Sequence, residues 1–298
     1  MNSANLSASP AKMLQKPKRT LWRDAVRSFS RNRLAMAGLA VVLLFIFCAI
    51  FANFLAPFRY DYSVLSESRQ FPSAKHWLGT DQIGRDLLSR IIYGARISLI
   101  VGFSVQIIAF AIGLPLGALA GLYGGWVDFI VNRLLEVMTA FPNFLFAIFL
   151  MSIVGAGMQN VIFAISVTSW IEICRLTRGQ LISLREREFV VAARSYGSDD
   201  RRIVFRHLLP HALPPLIIMF ALGIPSAIFI EAGLSFLGVG INDPIPSWGQ
   251  MVGASTGYLR VFWHMGLFPT LVIALAMLGF NFVGDGLRDA LDPTMHNR

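Results

Sequence analysis

The chain has 298 residues, a net charge of +9 and 55% hydrophobic residues, with only 14% charged. Soluble domains carry about 25% charged residues, and the mean hydropathy here is +0.60. These values exclude an ordinary soluble enzyme and point to a membrane protein. Cys48 and Cys174, the only cysteines, both sit in apolar surroundings far apart in sequence, which excludes a disulfide framework.

Residues 1–33 form a polar, basic leader. The apolar run that follows is far longer than the 7–15-residue core of a cleavable signal. It reads as a first transmembrane helix, 34–56, that stays in place. Charge-free runs cover 34–58, 97–127, 137–171, 208–230 and 261–284. About 20 apolar residues cross a bilayer, so the third run, broken by "GAGMQN" at 155–160, divides into two. The expectation is an all-α, polytopic membrane protein with six transmembrane helices near 35–56, 98–121, 130–153, 160–176, 213–238 and 262–284. Arg133, Glu136 and Glu172 then fall at cytoplasmic helix ends.

Between the first two spans, 57–96 is a polar extracytoplasmic loop. Within it, "GTDQIGRDLLSR" spaces Leu87, Leu88, Ile91 and Ile92 as an interfacial amphipathic helix does. The five later spans make a core over 97–284. Residues 177–212 form a loop inside that core, and 285–298 a C-terminal tail.

Lysine and arginine set the orientation. The leader alone holds eight: Lys12, Lys16, Lys18, Arg19, Arg23, Arg27, Arg31 and Arg33. With both termini cytoplasmic, the inner regions hold 19 of the 26 basic residues. The basic balance is therefore a topology signal and gives no support to nucleic-acid binding.

Within the second span, Ala109, Gly113, Gly117 and Gly121 recur every four residues. They share one helix face, as small residues do where two backbones approach closely. Pro115, Pro142, Pro225 and Pro269 mark places where a helix kinks. Glu231, in "PSAIFIEAGLSF", is a carboxylate inside the fifth span. Such a group faces a water-filled translocation path or a structural partner.

The chemistry of catalysis is missing. No G-x-x-x-x-G-K-[ST] precedes any of the four lysines, and neither H-E-x-x-H nor G-x-S-x-G occurs. His207 and His211 are four apart, but Pro210 lies between them and is expected to end the helix. No catalytic residue, metal site or cofactor is expected.

The polar exception is "VVAARSYGSDDRRIVFRHLLPH" at 190–211. The preceding "RGQLISLREREFVVAARSY" is made of good helix formers. Gly197 suits a left-handed cap, and Ser198 an N-cap with Asp199 and Asp200 in the next first turn. "RRIVFRHLL" is then a short helix stopped by Pro210. Val190, Ala193, Ile203, Val204 and Leu208 give this pair an apolar side that a simple linker would not need.

The stretch resembles the cytoplasmic EAA loop of binding-protein-dependent ABC importer permeases, roughly E-A-A-x3-G-x9-I-x-L-P. Ala192, Ala193, Gly197, Leu209 and Pro210 match in spacing; Val191 stands in the Glu position and His207 in an aliphatic one. "HWLGTDQIGRDLLSRIIYGARISL" (76–99), "LSFLGVGINDPIPSWGQM" (234–251) and "NFVGDGLRDALDP" (281–293) are similar to the C-type permease of oligopeptide, dipeptide and nickel importers. The resemblance implies the type I ABC importer permease fold and a bacterial or archaeal cytoplasmic membrane. It implies a B-type permease partner, two ATP-binding subunits that carry out hydrolysis, and an extracytoplasmic solute-binding protein facing 57–96 and 241–261. Ala193, Gly197, Ser198, Asp199, Asp200, Arg201, Arg202 and Arg206 would lie at the ATPase contact. The implied cargo is a peptide, with nickel, glutathione or modified sugars as alternatives. A stand-alone secondary transporter would need no such loop, and inverted repeats, common in such transporters, are not evident.

Overall fold

A computed structural model describes residues 21–291. The leader residues Lys12, Lys16, Lys18 and Arg19, and the tail beyond residue 291, lie outside the described residues. Among those described there is no β-strand, only an isolated bridge between Thr80 and Asp86.

Helix α1, Leu21–Arg31, lies against the last helix of the chain. Asn32 then caps α2, Arg33–Ile50, its side-chain oxygen accepting from the amides of Leu34 (3.1 Å) and Ala35 (3.2 Å). Such a cap satisfies donors that the first turn leaves open. After Phe51 comes one further turn, α3, Ala52–Leu55. The Arg96 guanidinium closes this helix end, donating to the carbonyls of Ala49 (2.7 Å) and Ile50 (3.2 Å) and to Asn53 Oδ1 (3.3 Å).

Helix α4 spans Leu87–Tyr123, 37 residues and about 55 Å. It starts some ten residues before the expected second span. The stretch expected as a separate interfacial helix is instead a loop through Asp86 followed by the opening turns of α4 itself. Asp86 is the N-cap, accepting from the Ser89 amide at 2.8 Å. Arg96, which bounded the charge-free run, and Arg90 before it lie inside the helix because each has partners elsewhere in the fold.

The expected third span is broken. Helices α5, Gly125–Thr139, and α6, Asn143–Val154, meet at 79°. Pro142 stands at the break, where it has no N–H to continue the first helix. At 15 and 12 residues, neither reaches the roughly 30 Å of a hydrocarbon core alone. Helix α7, Met158–Arg185, begins after Gly155 and Gly157 at φ 82° and 144°. It continues well past the expected boundary at 176.

Two short helices follow, α8, Glu188–Ser195, and α9, Asp200–Ile203. A π-helical turn, Val204–Leu208, leads without interruption into α10, Leu209–Phe236. Helix α11, Trp248–Ser255, and α12, His264–Leu291, complete the chain. Among the described residues, five helical stretches are long and apolar enough to cross a membrane: α2, α4, α7, the π turn with α10, and α12; α5 and α6, taken as one bent span, make a sixth.

Helices α4 and α7 form the spine and run in the same direction. A Cβ on Gly113 would sit 2.5 Å from the Trp170 carbonyl oxygen, and one on Gly121 2.9 Å from that of Arg178. Gly117 is pressed equally against Cys174 and Thr177. The glycine face thus lies along α7 of the same chain, at a separation no larger residue permits. On the opposite side, α10 and α12 close the bundle with α2, burying Val42, Phe45, Leu99, Ile228 and Phe280 together.

Candidate coupling loop, buried carboxylate and polar cavity

The loop 186–210 is a small packed unit. Val190 of α8, Ile203 of α9 and Leu208 of the π turn are buried against Leu181, Ala212 and Leu216 of the two long helices. Each such side chain contributes on the order of 1.5–3 kcal/mol by leaving water, which holds the unit to the bundle. His211 adds a link: its ring stacks on Phe189 with centroids 4.8 Å apart, and its Nδ1 lies 2.6 Å from the His207 carbonyl oxygen.

Gly197 has φ +75°, the left-handed region that glycine enters without strain. The cap of α9 is Asp199, not Ser198 as the sequence suggested. Asp199 Oδ1 accepts from the Arg202 amide at 3.2 Å, and its carbonyl accepts from Ile203. Pro210 does not stop the helix either. It falls in the first turn of α10, where a missing donor is tolerated. The wider π turn, closed by the Leu209 amide on the Val204 carbonyl, carries the chain through. His207 and His211 therefore share one continuous helix, and among the described residues no three metal-ligating side chains gather.

Of the expected contact residues, Ala192, Gly197, Asp199, Arg202, Arg206 and Pro210 are exposed, while Ala193, Ser198 and Leu209 are half-buried. The side chains of Asp200 and Arg201 lie outside the described part. What the motif did not point to is an apolar rim. Tyr196 is 90% exposed, Phe205 72% and Val191 55%. The residue in the motif's acidic position thus presents a bare isopropyl group to the surroundings.

Glu231 is far from this loop and fully buried. Its Oε1 accepts from Ser235 at 2.8 Å and its Oε2 from Ser98 of α4 at 3.4 Å. The Ser247 hydroxyl faces the same carboxylate. The group therefore joins α10 to α4 and to the start of α11, and it does not open onto a cavity.

A cavity of about 340 Å³ lies elsewhere, between α4, α6, α7 and α10. Gln106, Asn143, Ser169, Glu172 and Ser226 supply its polar lining. The sequence put Glu172 at a helix end; the structure puts it at the middle of α7. Polar side chains at i and i+3 (Ser169 and Glu172) were the available signal.

At the end of the bundle away from the 186–210 loop, two polar segments are locked together. Arg85 donates to Asp243 Oδ1 at 2.8 Å, and Arg90 to the same oxygen at 3.2 Å and to Gln250 Oε1 at 3.0 Å. Asp81 faces both guanidiniums, and Trp248 Nε1 donates to the Ile91 carbonyl at 3.0 Å. Partial burial pushes the Asp243 carboxyl up. The two guanidiniums outweigh this and hold it below its ordinary value.

A bundle of long apolar helices with one packed polar loop, a carboxylate buried within a span and a cavity with polar side chains defines a polytopic membrane transport component. The chain belongs to the family of binding-protein-dependent transport system inner membrane components, whose pattern matches residues 113–297, while residues 20–74 match the N-terminal transmembrane domain of oligopeptide transport permease C. It is an inner-membrane, multi-pass ABC importer permease of the peptide and glutathione group.

The dipeptide transport system permease of Alkalihalophilus pseudofirmus is 44% identical over 274 residues, covering 92% of this chain and 90% of that one. The oligopeptide permease OppC of Bacillus subtilis is 39% identical, covering 98% and 96%. The glutathione permease GsiD of Pectobacterium atrosepticum is 42% identical, covering 93% and 92%. In fold, the chain is similar to the MetNI methionine ABC transporter in an inward-facing conformation. The TM-score is 0.58 at 19% identity, over 69% of this chain and 98% of that chain. That likeness gives the type I importer permease fold.

Proposed function

We propose that this chain forms half of the membrane pathway of an ATP-driven peptide importer and takes its motion from separate ATP-binding subunits at the 186–210 loop. The observation that carries the reading is the exposed Tyr196, Phe205 and Val191 on a folded loop whose other side is packed into the bundle. An apolar rim on a rigid base is what a partner protein needs to grip and push. Gly197 sets the angle between α8 and α9, and Arg202 and Arg206 supply exposed positive charge beside the rim.

In this reading the loop end and both termini face the cytoplasm, in keeping with the distribution of lysine and arginine. A B-type permease completes the pathway. A solute-binding protein delivers cargo at the opposite end, where the Arg85–Asp243 cluster joins segments 79–90 and 241–250. ATP closes the two ATPase subunits, the loop follows, and α10, continuous with it, tilts within the bundle. No residue of this chain is assigned to hydrolysis. The peptide cargo rests on relatives that transport dipeptides and oligopeptides, with glutathione the nearest alternative among them.

The test is co-purification. Phe205→Asp and Tyr196→Ser place polar groups on the rim and leave the packed side untouched. Both variants are expected to insert and pair with the second permease yet lose the ATPase subunits. Stoichiometric recovery of the ATPases with both variants would sink the docking assignment.

A further inference from the structure

Glu172 stands 14 residues after the start of α7 and 13 before its end, about 20 Å along the axis from either. Its neighbour Ile173 lies against Gly113 of α4, from which ten residues of helix still run to Tyr123. The level is inside the apolar layer, where a carboxylate does not face lipid tails. Glu172 is nevertheless exposed. The basic side chain one turn away, Arg175, is engaged with the Thr139 hydroxyl at 3.1 Å, and no ion pair among the described residues involves Glu172.

Polar side chains from four helices share the cavity with it, Ser169 of α7, Asn143 of α6, Gln106 of α4 and Ser226 of α10, set among apolar ones such as Ile173, Met219 and Leu222. Gly223 lets the Gln106 carboxamide lie across α10; a Cβ there would overlap it. The face is thus open to water, lined by donors and acceptors, and carries one carboxylate with no fixed counter-charge.

We propose that Glu172 is a cation-recognising station on the translocation path, which takes the protonated amine of passing cargo, the α-ammonium or a lysine side chain of a peptide. Gln106, Asn143, Ser169 and Ser226 meet the N–H and C=O groups that accompany it. The proposal rests on the peptide-importer reading and adds the charge preference of the path itself.

Two experiments keep the station and that reading apart. The first needs no cargo. In the assembled transporter, with Cys48→Ala and Cys174→Ala, Ser169→Cys is modified with a cationic and an anionic methanethiosulfonate. The cationic reagent is expected to react about tenfold faster, since a cleft of one sign concentrates counter-ions, and Glu172→Gln should abolish the preference while Glu172→Asp keeps it. A rate ratio indifferent to Glu172→Gln, or a thiol that neither reagent reaches, overturns the proposal.

The second uses proteoliposomes holding the complete transporter and its solute-binding protein. Uptake is compared for a lysine-containing and a glutamine-containing peptide that the binding protein holds equally well. Glu172→Gln should lower uptake of the lysine peptide several-fold more than that of the glutamine peptide. Equal loss of both, or no loss, overturns the proposal. If the unmutated complex carries neither peptide while the charge preference at Ser169→Cys stands, the peptide reading fails and the station holds for another amine.

Discussion

Three hydroxyls surround one carboxylate at Glu231, and none of them has water to fall back on. Ser98, Ser235 and Glu231 are all buried, so removing the acceptor strands the donors in a dry site. Glu231→Ala is expected to destabilise the folded permease by about 1–3 kcal/mol. Glu231→Gln, which keeps an acceptor and the volume, should recover most of that. Thermal unfolding of the purified complex checks both, and an unchanged midpoint in the alanine variant would refute a structural role. The sequence showed that Glu231 was unusual but left path and pairing open, because the choice depends on Ser98, more than 130 positions away. Glu172 was obscured by the reading itself. When charges mark where spans end, a charge in the middle of a long helix is pushed to an edge.

At the scale of elements, the four-residue spacing of Ala109, Gly113, Gly117 and Gly121 made a close-packed face legible. Its partner was not, since α7 carries no matching stripe of glycines. Gly117→Val is expected to force α4 and α7 apart. Overpacking of this kind costs about 1–3 kcal/mol even in a core able to adjust, and here the obstacle is the Cys174 backbone carbonyl. Little folded permease should accumulate in the membrane, measured as detergent-stable protein; normal yield would contradict the contact. The start of α4 was misplaced for a different reason. Arg90 and Arg96 look like boundary charges until Tyr60, Asp243, Gln250, Ala49 and Ile50 are seen to neutralise or bind them. The break at Thr139–Asn143 was marked by Pro142, though only its position, and not the 79° angle, was legible.

Across the whole molecule, the Arg85–Arg90–Asp243 cluster is the one ionic tie between the 79–90 and 241–250 segments among the described residues. The Asp243 carboxyl lies below its ordinary value of 3.8, so its contribution is fully present above that value. It is lost as pH falls through the lower, folded-state value. Protection of the 241–250 amides, taken relative to the unfolded chain at the same pH, should therefore be high at neutral pH and fall on acidification below about pH 4. Asp243→Asn should show the lowered protection already at pH 7. Equal protection in the two proteins at pH 7 would remove the cluster from the account. The far ends of the bundle were the part least legible in the sequence, because loops far apart in the chain meet there through side chains that no periodicity predicts.

The glycine face between α4 and α7 has a mechanical consequence. Two backbones seated this closely have no slack to slide or splay, so the pair behaves as a single strut through any cycle of motion. Compliance must then reside outside that contact: in the elbow between α5 and α6, and in α10 on the loop side of its Glu231 tie to α4, the stretch that carries Pro214, Pro215 and Pro225. A permease of this design changes shape by swinging limbs about a stiff mast.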